Sequence, residues 1–271
     1  MKLFKLLLTT LLILVAGLFG YTTFQEKAAG RQEGPSITCS DEVLVLSVSD
    51  GEDVLLSGVT ARDKQDGDLT GHILIQGVSR QITDDNMTTV TYLVFDSDGN
   101  SASVTRNIRY TDYVKPRFTI SDALTYSNNL SIALLDRLQA IDCIDGDITN
   151  NIRVSSMTAT GDPEIYTIDV QVTNSFSDTS RLTLPIVVYS TYSNRAVIHL
   201  TDYLVYLNQG ASFNARRYLD RVELARDELG DNANVKIDGT VDTSTPGTYM
   251  VYYRYPNDGT TSLAVLTVVV E

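Results

Sequence analysis

An eight-residue segment occurs twice in this chain, and its repetition constrains the fold more than any other feature. The segment reads Asp-Lys-Gln-Asp-Gly-Asp-Leu-Thr at residues 63–70 and Asp-Cys-Ile-Asp-Gly-Asp-Ile-Thr at residues 142–149. The similarity extends outward to Ala61 and Ala140, which precede the two copies at the same spacing. The chain therefore repeats whole structural units, with a period of about 80 residues, rather than one loop.

A third unit follows with a weaker version of the segment. Residues 229–232, Leu-Gly-Asp-Asn, retain part of it, and residues 235–249 resume a strand-turn-strand pattern. The period predicts three small domains rather than one large one. The predicted organisation is a hydrophobic N-terminal segment over residues 1–24, a polar linker over 25–34, and domains over 35–112, 113–192 and 193–271.

Alternating hydrophobic and polar residues predict an all-β fold. In the first unit, residues 73–79, 89–95 and 102–110 are rich in β-branched and aromatic residues, and turn-forming residues separate them. Short strands at this spacing are typical of a β-sandwich, whereas a parallel α/β fold would need amphipathic helices that this unit lacks. One or two helical turns are predicted within residues 214–229, which contain neither Gly nor Pro.

Two further motifs accompany the repeated segment. One is Val-Thr-Tyr-Leu-Val-Phe-Asp-Ser-Asp-Gly-Asn at residues 90–100, and the other is Pro-Gly-Thr-Tyr at residues 246–249. Over residues 35–271 these motifs together resemble the bacterial surface immunoglobulin-like (Ig-like) domain family, which also occurs in a pesticidal crystal protein. The resemblance implies tandem Ig-like β-sandwiches displayed outside a bacterial cell. It implies no enzymatic activity and names no ligand.

The N-terminus carries a membrane-targeting pattern. Lys2 and Lys5 precede a run from Leu6 to Phe24 that contains no charged residue, and this run is close to the ~20 residues needed to span a bilayer. We expect a single transmembrane anchor in the cell membrane, with its N-terminus cytoplasmic and the domains extracellular. The alternative is a cleaved signal peptide and a secreted protein.

The charge balance and the histidine content argue against several functions. The chain has 34 acidic and 21 basic residues, a formal net charge of −13. Nucleic-acid binding is not expected, because it requires basic patches. The two histidines are His72 and His199, and neither belongs to a nucleophile motif or a zinc-spaced pair. We therefore expect no enzymatic activity, no catalytic residue and no cofactor.

The aspartates of the repeated segment allow two interpretations. As oxygen ligands they could bind Ca²⁺, although their spacing differs from that of an EF-hand loop. Alternatively, Asp-Gly-Asp forms a tight turn whose carboxylates accept backbone hydrogen bonds and pair with a strand cation such as Arg106. The favoured interpretation is a structural turn motif at Asp66, Gly67, Asp68, Asp145, Gly146 and Asp147. The alternative calcium ligands are Asp63, Asp66, Asp68, Asp142, Asp145 and Asp147.

The tyrosines raise the question of a ligand. The chain has 15 Tyr and no Trp, and clusters within residues 189–206 and 249–255 could stack on sugar rings. Alternate residues of a strand point to opposite faces, however, so many of these rings should pack in the core. We expect an extracellular spacer and protein-interaction or adhesion module. The alternatives are a module that binds a cell-wall glycan or exopolysaccharide, and a calcium-stabilised adhesin.

Overall fold

The computed structural model describes residues 11–22, 34–127, 136–190, 195–224, 228–257 and 259–271. These residues form strands with a few short helices, so the predicted all-β fold is confirmed. The chain divides into two compact units, of which the first takes in most residues up to Arg109 and the second most residues from Tyr110 to Glu271. The first unit contains one β-sandwich and the second contains two. The boundaries of the three predicted domains stay a prediction.

Residues 11–22 form helix α1, which lies within the predicted anchor over residues 1–24. Residues 1–10 and 23–24 of that segment lie outside the described residues, as does most of the predicted linker. No helix in the described part of the chain has both the length and the apolar character required to cross a bilayer.

Seven strands form the first sandwich: β1 (Ser36–Cys39), β2 (Val43–Leu46), β3 (Val59–Asp63), β4 (Gly67–Asp68), β5 (Leu74–Val78), β6 (Met87–Phe95) and β7 (Ser101–Tyr110). One sheet has the order β1-β3-β4 and the other the order β2-β7-β6-β5. Helix α2 (Glu52–Leu55) and a 3-10 turn (Thr70–His72) lie between strands. Alternation along β6 directs Val90, Tyr92 and Val94 into the core, where each is 0% exposed.

The second sandwich repeats this arrangement with β8 (Arg117–Ile120), β9 (Thr125–Ser127), β10 (Leu138–Asp142), β11 (Gly146–Asp147), β12 (Arg153–Ala159), β13 (Ile165–Thr173) and β14 (Thr179–Tyr189). Its sheets have the orders β11-β10-β8 and β12-β13-β14-β9. A 3-10 turn (Thr149–Asn151) follows β11, as in the first sandwich. Phe118, Leu138 and Ile168 are among the core residues.

The third sandwich consists of β15 (Val197–Leu200), β16 (Leu204–Leu207), β17 (Leu219–Glu223), β18 (Leu229–Gly230), β19 (Lys236–Asp238), β20 (Gly247–Asn257) and β21 (Thr260–Val270). Its sheets have the orders β15-β17-β18 and β16-β21-β20-β19. The third copy therefore keeps the sheet orders of the other two although most of the repeated segment is lost. A 3-10 turn (Asn232–Asn234) again follows the short strand β18.

The one or two helical turns predicted within residues 214–229 are confirmed in part. One 3-10 turn (Ala215–Tyr218) occurs among the described residues of this stretch, and it leads directly into strand β17, which was not predicted there. Val222 of β17 pairs with Ile198 of β15 and is completely buried. Burial in a sheet outweighs the helix propensity of this stretch, because propensity is worth less than 1 kcal/mol per residue, roughly. Residues 225–227 lie outside the described residues.

Candidate functional site

The first aspartate of each repeated segment closes a tight turn. Asp63 Oδ1 accepts hydrogen bonds from the N–H groups of Gln65 (2.7 Å) and Asp66 (3.0 Å). Asp142 Oδ1 accepts the equivalent bonds from Ile144 and Asp145, both at 2.9 Å. The backbone N–H of Asp66, then that of Gln65, holds the pKa of Asp63 below its usual value. A carboxylate at this position therefore stabilises the turn in its ionised form.

The glycine of each segment adopts a left-handed conformation. Gly67 has a φ of 79° and Gly146 a φ of 72°. A Cβ at Gly67 would meet no other atom within 4 Å, so the requirement for glycine comes from the backbone conformation and not from crowding.

The middle aspartate joins the two sheets of its sandwich. Asp66 Oδ2 accepts from the Ser97 N–H at 2.7 Å, and Asp66 Oδ1 accepts from the Ser97 hydroxyl at 2.8 Å. Asp145 binds Ser175 in the same way, at 2.6 and 2.7 Å. Ser97 lies between β6 and β7, so this contact fastens the repeated segment to the opposite sheet.

The third aspartate begins the 3-10 turn. Asp68 Oδ1 accepts from the Thr70 N–H at 3.0 Å, and Asp147 Oδ1 accepts from the Thr149 N–H at 2.9 Å. Hydrogen bonding by the threonine side chain, then by its N–H, lowers the pKa of both aspartates. All three aspartates of each segment therefore accept protein hydrogen bonds. Within the residues that the structure describes, no group of three or more His, Cys, Asp and Glu side chains is arranged to hold a metal ion.

The predicted partnership of Arg106 with the repeated segment is wrong. Arg106 is 3% exposed, and its Nε and Nη1 donate to the carbonyl oxygens of Asp41 (3.0 Å) and Ser57 (2.7 Å). Its Nη2 lies 3.6 Å from the Asp41 carboxylate. Arg106 shares the inward-facing side of β7 with Ile108, which is why it reaches these groups across the core and not the exposed loop.

The second sandwich adds a buried polar network that the sequence did not indicate. Asn174 Nδ2 donates to Asp142 Oδ2 and to the Tyr113 hydroxyl, both at 3.1 Å. The Tyr113 hydroxyl donates to Asp178 Oδ2 at 2.9 Å. Burial, and then the hydrogen bond to Asp178, raises the pKa of Tyr113. This network fixes the entry of the chain into the second sandwich.

The tyrosine clusters contribute mainly to cores. Tyr189, Tyr203, Tyr253 and Tyr255 are buried. The half-buried members are Tyr206, Tyr249 and Tyr252, and Tyr192 lies outside the described residues. The described rings of the two clusters therefore provide at most partial faces for stacking on a ligand.

The second and third sandwiches pack against each other along a contact that we call the seam. Its apolar part is a cluster of Ile165, Val187, Tyr189 and Leu263, the last from β21 of the third sandwich. The Tyr189 hydroxyl accepts from the Leu263 N–H at 2.7 Å and donates to the Leu263 carbonyl at 3.2 Å. One side chain of the second sandwich thus satisfies two backbone groups of the third.

An arginine reinforces the seam beside this cluster. The Arg195 guanidinium lies 3.8 Å from the centroid of the Tyr189 ring. It binds both carboxylate oxygens of Glu164, at 2.5 and 3.3 Å, and it also donates to the Thr261 carbonyl. Bidentate arginine–carboxylate pairs are among the stronger polar contacts in proteins.

A groove opens beside the seam, at the start of β8 and β14. Its volume is ≈ 390 Å³, within the range of small-molecule sites. A second cavity of ≈ 370 Å³ shares Arg181, Leu182 and Thr248 with it, so the groove is elongated. The Tyr206 hydroxyl accepts from the Phe118 N–H at 3.0 Å and holds the two sandwiches together at its floor.

The pesticidal crystal protein Cry22Aa of Bacillus thuringiensis is 29% identical to this chain over 204 residues, which cover 72% of the chain and 27% of that protein. The chain thus spans about a quarter of the length of the curated relative that it matches.

Solved structures also share similarity with the chain. One contains the M60 catalytic domain with the CBM51-1 and CBM51-2 domains of Clostridium perfringens ZmpB. It is 11% identical, the match covers 87% of this chain and 30% of that chain, and the TM-score is 0.25. Another is the Protocadherin GammaB4 extracellular domain, with 12% identity, coverage of 89% and 52%, and a TM-score of 0.20.

The match to a family model comes from the third sandwich. Residues 201–270 match the model of the family described as "Bacterial surface protein, Ig-like domain". This match covers β16 to β21, where the repeated segment is least preserved. The resemblance to that family is therefore confirmed, and the third sandwich is similar to a bacterial surface Ig-like domain.

Proposed function

We propose that this chain is an extracellular bacterial surface protein that serves as a spacer and as a protein-interaction or adhesion module. The seam is the observation that carries the proposal. Neighbouring domains usually move relative to one another unless their interface is large and apolar. The seam combines an apolar cluster, the Tyr189–Leu263 hydrogen bonds and the Arg195–Glu164 pair. A rigid pair of sandwiches is suited to holding a binding surface at a set distance from the cell.

The proposal includes attachment to the cell membrane through the N-terminal segment, with the sandwiches outside. It also includes the absence of enzymatic activity and of a cofactor. The described carboxylates of the repeated segments support this part, because their hydrogen bonds serve turns and sheet contacts.

Carbohydrate binding is a second candidate function, and the groove beside the seam favours it. The groove has the volume of a ligand site, and hydroxyl-bearing side chains from both sandwiches line it. Sugar hydroxyl groups both donate and accept hydrogen bonds, as do those of Ser and Thr.

Cys143 provides a test of location in the native chain. Its thiol is free and exposed, and it donates to the Val114 carbonyl at 3.2 Å. Burial of the sulfur raises its pKa, so labelling is best done at mildly alkaline pH. A membrane-impermeant maleimide should label the chain on intact cells, and a Cys143→Ser variant should lose most of the label. Labelling that requires cell lysis would refute the extracellular placement.

Fractionation tests the anchor separately. The labelled chain should be found at full length in the membrane pellet. Recovery from the medium with a new N-terminus near Tyr21 would show that the leader is cleaved and that the protein is secreted.

A further inference from the structure

We propose that the groove beside the seam binds an anionic saccharide, with Arg117 and Arg181 contacting its acidic groups. The inference rests on the proposed surface-binding function and names the chemistry of the ligand. The lining includes Lys115, Arg117 and Arg181, although the whole chain carries a net charge of −13. A cluster of cations in an otherwise acidic protein attracts anions locally.

Arg181 is the free cation of the groove. It lies on β14, its side chain is exposed, and it lines both cavities. Among the residues that the structure describes, its guanidinium has no ion-pair or hydrogen-bond partner. An arginine with all its donors available can bind a carboxylate or a phosphate through two parallel hydrogen bonds.

Arg117 shows how the groove accommodates a carboxylate. Its guanidinium lies 4.8 Å from the centroid of the Tyr206 ring, which orients it. Its Nη2 contacts the Glu271 side-chain carboxylate, and its buried Nε has no hydrogen-bond partner. Glu271 therefore occupies the position of an acidic ligand group, and a ligand would compete with it for Arg117.

The remaining lining favours a saccharide over an acidic peptide. Thr179 and Ser180 on one side and Thr248 on the other supply hydroxyl groups, which pair with sugar hydroxyls. The elongated shape suits a chain of several sugar units. The acidic group is either the carboxylate of a uronic acid or the phosphate of a phosphorylated sugar, because the planar guanidinium of arginine can form two parallel hydrogen bonds with each.

The test is titration of the purified full-length chain, in mild detergent at about 0.15 M salt. The probes are oligogalacturonate for carboxylates, phosphomannan for phosphates, maltohexaose as a neutral sugar and polyglutamate as an acidic peptide. The variants are Arg181→Gln, Glu271→Gln and the control Arg217→Gln. Arg217 is exposed in the third sandwich and lies outside the lining of the groove. The control therefore removes one positive charge, as Arg181→Gln does, but away from the groove.

At least one of the two anionic saccharides should bind, and the one that binds identifies the acidic group. Arg181→Gln should weaken its binding about tenfold or more through the loss of a charge-assisted contact. Glu271→Gln should strengthen binding, because it frees Arg117, and Arg217→Gln should leave it unchanged. Thermal melting of each variant checks that it is folded.

Three results would overturn the inference: no binding of either anionic saccharide, equal binding of polyglutamate, or an equal loss in Arg217→Gln. The proposed extracellular placement would survive each of them, since the labelling of Cys143 on intact cells tests it independently.

Discussion

Replacing Tyr189 with Phe should loosen the seam while leaving its apolar packing in place. The ring is 3% exposed and remains beneath the Arg195 guanidinium, so the substitution removes only the hydroxyl. That hydroxyl is hydrogen-bonded to both the N–H and the carbonyl of Leu263, which is 5% exposed. The variant therefore leaves two buried backbone groups without this partner.

The free-energy cost of the substitution follows from these two backbone groups. Leaving a buried donor or acceptor unsatisfied costs about 1–3 kcal/mol, so the two groups together should cost about 2–6 kcal/mol. Each ~1.4 kcal/mol corresponds to a tenfold change, so amides protected by the seam should exchange roughly 30- to 20,000-fold faster. Hydrogen exchange with mass spectrometry of the full chain, read at peptides containing Leu263, measures this change.

Tyr249→Phe is the matched control. Tyr249 lies near the start of β20 and is half-buried, and its hydroxyl donates to the carbonyl of Thr245, just before that strand, at 2.8 Å. Its loss should cost about 1 kcal/mol or less and should not affect the seam. If peptides containing Leu263 exchanged as slowly in the Tyr189→Phe variant as in the unchanged protein, the reasoning that joins the two sandwiches through this hydroxyl would be refuted.

Three further predictions concern the repeated segment. Gly67→Ala should destabilise its loop by about 1 kcal/mol or more, because Gly67 has a positive φ, whereas Gly71→Ala should have less effect. Hydrogen-exchange rates of the loop amides in the two variants measure the difference. The pKa values of Asp63 and Asp68 are lowered in the folded state. Their stabilisation should be present above the unfolded value of about 3.9 and lost as the pH falls through the folded values, and Asp63→Asn should flatten acid unfolding curves. Millimolar Ca²⁺ should leave the melting temperature unchanged; a rise that Asp66→Ala abolishes would contradict the structural interpretation.

The sequence by itself determined the features that depend on neighbours along the chain. Alternation predicted strand β6, since side chains of a strand alternate between its faces whatever the rest of the fold does. The Asp-Gly-Asp segment predicted a turn with a positive φ at Gly67, because a local turn needs a residue without a Cβ there. The hydrogen bond that Asp63 accepts from the N–H of Asp66 is equally local, because it joins residues three positions apart.

Only the tertiary structure decided the contacts between distant residues. The Asp66–Ser97 contact, the partners of Arg106 and the pairing of Tyr189 with Leu263 all join residues that are far apart in the sequence. The same holds for residues 219–223, whose composition favours a helix but which form β17 because Val222 is buried against β15. The groove likewise forms only when β8 and β14 meet the third sandwich. No local pattern encodes such contacts, because their energies depend on which surfaces the fold brings together.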